Sequence, residues 1–403
     1  MIQYVTTNNP AECCGCRGCE QICSHHALTM QEDEEGFLYP VLNEDACVNC
    51  GLCEKVCPMT HGIEKLYNQG QTIAVQNLNK EELFTSSSGG VFVAIANEVI
   101  SKNGIVYGAA FENGPILCHQ RITTIEGIER LKGSKYLQLD IRNTYQLVKH
   151  DLTSGKSVYF VGTPCQIAGL RLFLKKDYEN LLVSDLVCHG TPSNKIFRNT
   201  ISHLEKKTNG TFNNYSFRDK RIRGWSCSSS FSLEKGNREV LMIYSKDMDA
   251  YFNAFINGDL MRMSCYSCPF ARFERTGDIT LADYWGVRKY SPSFPQIGKG
   301  VSLMIINSEK GKKFFKTIYS QFNVEEISKD DATFSNSNLV RPTILKPNRK
   351  ESYLLAMNNY EMFVDKYYEG SYYVNKLKVY IEYFIRRSPL LFCVISFLKK
   401  KFV

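Results

Sequence analysis

The residues with the clearest chemical potential are nine cysteines that fall before residue 60, out of sixteen in a chain of 403. Eight of them form two runs: Cys13, Cys16, Cys19 and Cys23, then Cys47, Cys50, Cys53 and Cys57 followed by Pro58. In each run two gaps of two residues precede a gap of three. With this spacing three thiolates wrap three corners of a 4Fe–4S cubane, and the fourth crosses to the other cubane of a pair. The rule assigns Cys13, Cys16, Cys19 and Cys57 to cluster I, and Cys47, Cys50, Cys53 and Cys23 to cluster II. Structural zinc sites pair Cys-x-x-Cys with distant ligands instead of repeating such a run. The chemistry expected is one-electron transfer. Cys14 lies outside the spacing and reads as a bystander.

The elements that must hold these thiols are short. Gly15, Gly18 and Gly51 permit tight turns and let backbone N–H groups approach cluster sulfurs. Residues 27–30 and 36–41 read as two strands around an acidic turn. This layout resembles the bacterial two-cluster ferredoxin module, with Ser24 where that module usually has proline.

From residue 71 the pattern changes to strand–helix alternation, with strands at 72–78, 104–111, 157–162 and 181–187. Helices fall at 90–102, 140–152 and 166–175, and residues 211–245 are strand-rich. Three loops could carry chemistry. Ser86-Ser87-Ser88-Gly89-Gly90 precedes a helix and offers hydroxyls and bare backbone to a phosphate, although the same residues also serve as ordinary helix caps. Gly162-Thr163-Pro164-Cys165 ends a strand, where ligands of open α/β sheets bind, and Cys188-His189-Gly190 ends the next. Cys265 and Cys268 supply half of a cubane. Cys165 and Cys188 are the natural partners for a third cluster, with a redox dithiol as the competing reading. Cys118, Cys227 and Cys393 read as buried thiols.

Charge is divided unevenly. Residues 1–60 carry nine acids against Arg17 and Lys55, a net −7, so with +8 overall the remainder carries +15. A basic body suits an anionic cofactor, and an acidic head suits a basic docking partner; solvated faces of opposite sign are the plain alternative. No arginine-rich arm points to nucleic acid. The N-terminus lacks a secretory pattern and no apolar run approaches the ~20 residues of a spanning helix, so a cytoplasmic location is expected. Residues 390–398 are apolar between Arg386-Arg387 and Lys399-Lys400-Lys401. Peripheral contact of this tail with an anionic membrane face is one expectation, and docking on protein the other.

Seven stretches then occur in one order: Ser86-Ser87-Ser88-Gly89-Gly90, Lys132-Gly133-Ser134-Lys135-Tyr136, Gly162-Thr163-Pro164-Cys165-Gln166-Ile167-Ala168-Gly169, Cys188-His189-Gly190, Phe217-Arg218-Asp219-Lys220, Cys265 to Cys268, and Asp283-Tyr284-Trp285-Gly286. In this the body, over about residues 70–310, resembles the beta-subunit family of coenzyme F420 (deazaflavin) hydrogenases and dehydrogenases. The resemblance implies a non-covalent FAD and a further 4Fe–4S cluster. It also implies flavin contacts from the serine–glycine loop and Lys135. Gly162, Thr163 and Pro164 join the expected cofactor-binding residues. Lys135 and His189 are candidate proton donors beside the flavin, against a structural or cofactor-positioning role. Similar bacterial proteins with a fused ferredoxin head are associated with cell-surface polysaccharide synthesis, which suggests a glycan-related acceptor. Use of deazaflavin itself stays open.

The expected fold is an α+β ferredoxin-like dicluster head followed by a mixed α/β flavin-binding body. The divisions are 1–66 for the head, 67–150 and 151–345 for two parts of the body, and 346–403 for a basic, aromatic tail. The expected function is an iron–sulfur flavoprotein oxidoreductase that passes electrons between a redox partner protein or small donor and an organic acceptor. The alternative is a non-catalytic electron-transfer subunit serving a separate hydrogenase or dehydrogenase.

Overall fold

The computed structural model describes residues 1–60, 66–67, 70–112, 114–236 and 238–368, together with 377 and 381. In the head, β1 (Leu28–Glu32) pairs antiparallel with β2 (Leu38–Leu42), and the short helices Gly18–Ile22 and Leu52–Lys55 grow out of the two cysteine runs.

The body is built on one eight-stranded mixed sheet. Its strands are β3 (Gln71–Asn77), β4 (Ile105–Glu112), β5 (Ile116–Ile122), β6 (Val158–Gly162) and β7 (Leu181–Leu186), then β11 (Ile279–Asp283), β12 (Ser302–Ile306) and β13 (Phe322–Glu326). The order across the sheet is β13-β3-β12-β11-β7-β6-β4-β5. The central run β4, β6, β7, β11 is parallel and the flanking pairs are antiparallel. A separate three-stranded antiparallel sheet holds β8 (Thr211–Ser216), β9 (Ser228–Lys235) and β10 (Arg238–Ser245).

The central strands read as unbroken apolar runs because both faces are covered, and side chains alternate between two cores. Val158, Phe160, Leu181 and Val183 enter one core, whereas Tyr159 and Leu182 enter the other. The second core is closed by the helix Val91–Ser101, through Val91, Ala94 and Ile95. The first is shared with the head, since Phe37 and Tyr39 pack into it beside Tyr145, Phe197 and Tyr353.

The two parts of the body expected at 67–150 and 151–345 share one sheet, because β4 pairs directly with β6. Local periodicity marks strands but not their long-range partners, so such a pairing has no local signature. The basic, aromatic segment expected from 346 starts as packed structure. The helices Arg349–Asn358 and Tyr360–Tyr367 bury Tyr353, Ala356, Phe363 and Tyr367 in the first core. The apolar stretch 390–398 and Cys393 lie outside the described residues.

The acidic head finds its counter-charge within the chain. Arg17 pairs with Glu20 and with Asp140 of the body, Arg198 with Glu32, and Arg349 with Glu35 at 2.6 Å. Two of the nine head acids, Glu32 and Glu35, thus hold head to body, while Glu44 and Asp45 remain exposed.

Candidate functional site

The helix Gly18–Ile22 carries Cys19, and Cys16, two residues before it, lies against Gly169 of the body. The structure places Cys57 within electrostatic reach of Cys13, Cys16 and Cys19, so the four thiols assigned to cluster I share one neighbourhood. Cys23, Cys47, Cys50 and Cys53 line a cavity of about 60 Å³ together with Ala27, Leu28 and Leu42. The two neighbourhoods differ in depth. Cys16 is buried under the body, whereas Cys50 and Val48 face solvent.

Backbone N–H groups point at the sulfurs. Gly15 donates to Cys13 Sγ and Ala27 to Cys23 Sγ, both at 3.4 Å. Burial pushes the Cys13 and Cys19 thiols up, so each thiolate needs a cationic centre to displace its proton. Among the described residues no three His, Cys, Asp or Glu side chains are arranged to ligate a single metal ion. The corners of a cubane are separate irons, so cluster ligation does not require that convergence. Spacing, burial and N–H donors fit iron–sulfur clusters in the head.

In the body, β3, β6, β7 and β11 run in one direction, and the candidate loops follow their C-terminal ends, the usual ligand edge of such sheets. Cys165 opens the helix Pro164–Leu174, Cys188 follows β7, and Cys265 and Cys268 lie on the turn before β11. The four thiols interact with one another. Burial pushes Cys188, Cys265 and Cys268 up, the last to about 12, while N–H groups of Gly190, Thr191, Phe270 and Ala271 offset part of that cost. This half-buried set with N–H donors fits a further cluster.

Cys14, expected as a bystander, lies with its thiol against those of Cys16 and Cys165, between the head's inner cysteines and the body's set. Gly169 makes the approach feasible, because a Cβ there would lie 3.0 Å from Cys16 Sγ. Nothing in the spacing of Cys14 announces a contact with a residue 151 positions away.

Of the expected flavin residues, the serine–glycine loop meets the Lys135 segment through Ser87 and Ser134, and many of the polar groups are already engaged. Gly89 lies flat on the sheet, where a Cβ would meet Val75 O at 2.2 Å, and its N–H donates to Ser302 Oγ. Gly90, at φ +80°, starts the helix Val91–Ser101, and the N–H of Ser86 bonds back to Glu82. Ser87 Oγ accepts from the Ser134 N–H at 2.7 Å, and Ser88 Oγ donates to Val301 O. Gly162, Thr163 and Pro164 form the capped start of the helix Pro164–Leu174, with Gln166 Oε1 accepting from the Thr163 N–H.

Lys135 does not point a free ammonium at a ligand. Its Nζ lies on the carbonyls of Ala109, Arg130, Leu131 and Lys132 at 2.8–3.2 Å. Burial pulls its pKa down to about 7, and the carbonyls counter this by favouring the charged form. Lys220, expected only as part of a motif, ties the serine–glycine loop at Ser88 O to Leu83 O and Lys299 O. His189 is likewise engaged, with Ile256 O at Nε2 and Asn338 Oδ1 and Thr343 Oγ1 at Nδ1. These contacts fix where Lys135 and His189 stand.

Beside the loop lies a second network. Arg218 forms a forked ion pair with Asp283, accompanied by the Trp225 indole N–H at 2.7 Å from the same carboxylate. Trp225 and Trp285 stack with centroids 4.9 Å apart, and Trp285 is partly exposed.

Residues 155–331 match the family described as the C terminus of the coenzyme F420 hydrogenase/dehydrogenase beta subunit, and residues 12–61 match the 4Fe-4S dicluster domain. A curated relative, one of the subunits of the F(420)H(2) dehydrogenase of Methanosarcina mazei, is 24% identical over 201 residues, 44% of this chain and 53% of that protein. The chain thus spans about half the length of the relative it matches. A solved structure of the F420-reducing [NiFe] hydrogenase complex from Methanosarcina barkeri aligns over 75% of this chain and 90% of its own, at 16% identity and a TM-score of 0.41.

Proposed function

We propose that this chain, a 4Fe-4S dicluster domain joined to the C-terminal domain of the coenzyme F420 hydrogenase/dehydrogenase beta-subunit family, is an electron-transfer subunit that serves a separate hydrogenase or dehydrogenase partner. The observation that carries this reading is the contact of Cys14 with both Cys16 and Cys165, which brings the head's inner thiols against the body's. In this reading Cys13, Cys16, Cys19 and Cys57 hold one cluster, Cys47, Cys50, Cys53 and Cys23 a second, and Cys165, Cys188, Cys265 and Cys268 a third. Bound clusters supply one-electron capacity. The chain's own residues bury Cys16, aim N–H groups at the sulfurs, and leave the Cys50 side open to a partner. The name of the methanosarcinal relative supports a subunit role.

A second reading is favoured by the convergence of the serine–glycine loop, Lys220, Arg218, Asp283 and the tryptophan pair at one sheet edge. There the chain binds FAD and itself reduces an organic acceptor, with coenzyme F420 or a glycan-linked molecule as candidates. Anaerobically purified protein separates the two. Dithionite-reduced chain that is reoxidised by a partner hydrogenase or dehydrogenase protein, and by no organic acceptor alone, supports the subunit reading. Turnover of coenzyme F420 by the chain alone, together with acid-released flavin, would replace it with the second.

A further inference from the structure

Four arginines are buried in the described structure: Arg218, Arg262, Arg275 and Arg349. Three have a carboxylate partner, namely Asp283, Asp185 and Glu35 respectively. Arg262 is 1% exposed and, among the described residues, has no carboxylate within ion-pair distance, Asp33 acting on it only from farther away. Its bonds go to neutral acceptors: Nε donates to Cys13 O at 2.6 Å, one terminal nitrogen to Gln138 Oε1 at 3.0 Å and the other to Leu38 O at 3.0 Å. The guanidinium also lies 3.9 Å from the Tyr39 ring centroid and 5.4 Å from that of Phe37. A buried charge left unpaired is costly, and neutral acceptors do not cancel it.

We infer that Arg262 is the fixed counter-charge of the cluster held by Cys13, Cys16, Cys19 and Cys57, and that it raises that cluster's reduction potential. Arg262 bonds the carbonyl of a ligand residue, and Gly15, in the same cysteine run, lies against its guanidinium. A 4Fe–4S cubane with four thiolates is anionic in both working oxidation states, and one unit more so when reduced. A permanent cation beside it therefore favours the reduced form, since net charge and hydrogen bonding near the sulfurs set cluster potentials. The guanidinium cannot lose its proton, so the effect is independent of pH over the working range. Arg262 is thus a positioning residue with an electrostatic task beyond joining head to body.

The inference rests on the head binding its clusters, which iron and sulfide analysis of the wild-type protein tests separately. The discriminating experiment is a potentiometric titration monitored by EPR on wild-type, Arg262→Gln and Arg262→Lys full-length protein, each with its iron and sulfide content measured. Arg262→Gln with normal content is expected to move one midpoint negative by at least about 59 mV, a tenfold change in the one-electron ratio, and leave the others in place. Arg262→Lys is expected to retain most of the wild-type value. Unchanged midpoints in a fully loaded Arg262→Gln protein would overturn the inference. Should Arg262→Gln fail to load, a loaded Arg262→Lys protein with wild-type midpoints supports the need for charge. Equal failure of Arg262→Lys overturns it in favour of a purely hydrogen-bonding role.

Discussion

At Gly169 a methyl group would sit 3.0 Å from both Cys16 Sγ and Tyr145 Oη. Neither neighbour can yield easily, because Tyr145 Oη is bound to Gln166 O at 2.8 Å and Cys16 is expected to be fixed by iron. Glycine to alanine inside a helix ordinarily stabilises by ~1 kcal/mol. Here the overpacking, typically about 1–3 kcal/mol, reverses the sign. Gly169→Ala is expected to melt earlier and to lose iron sooner than wild type, as thermal denaturation with iron release shows. His119 supplies a pH-dependent case. It is buried edge-on against Phe160, and burial pulls its pKa from 6.5 down to about 3. Between those values the unfolded chain binds a proton that the folded chain refuses, so stability falls as pH drops below 6.5. The slope from this one residue is at most about 1.4 kcal/mol per pH unit. Denaturant titrations from pH 5 to 7.5 should show a shallower pH slope for His119→Gln than for wild type.

The helices Arg349–Asn358 and Tyr360–Tyr367 belong to the core rather than to a tail. Tyr353 bonds Leu260 O, Tyr367 O accepts from Asn253, and Arg349 reaches Glu35 in the head. Each large buried side chain contributes roughly 1.5–3 kcal/mol, against a total stability of roughly 5–15 kcal/mol. A chain ending at residue 345 is therefore expected to be insoluble or to lose its cooperative melt, whereas one ending at 384 should retain it; circular dichroism distinguishes them. Sequence reading had little access to this role, because Tyr353 and Phe363 bury themselves against residues far away along the chain. The strands were legible for the opposite reason. A doubly covered strand such as β6 or β7 declares itself as a short apolar run, and the cysteine runs declare themselves by spacing alone. Lys135 and His189 show the limit. A polar residue at an element's end looks the same in sequence whether it serves a ligand or a neighbouring carbonyl. The pairing of Glu32 and Glu35 with the body was hidden for the same reason, because Arg198 and Arg349 lie more than 160 residues away.

Across the whole molecule, the proposed assignment predicts its own metal count. Cys50→Ala and Cys188→Ala are each expected to lose about one cubane's share of iron and sulfide. Cys14→Ala should lose none, since it is assigned to no cluster. Elemental analysis against protein concentration checks all three, and an unaltered count in Cys188→Ala would remove the third cluster from the proposal. The unequal depth of the head's two cysteine sets has one more consequence. Cys50 and Val48 meet solvent, while Cys16 is sealed beneath the body. Oxygen therefore reaches one half of the head long before the other. In air the brown colour should fade in two well-separated phases, the fast one consuming the outer set while the inner set survives as a remnant still in contact with the body.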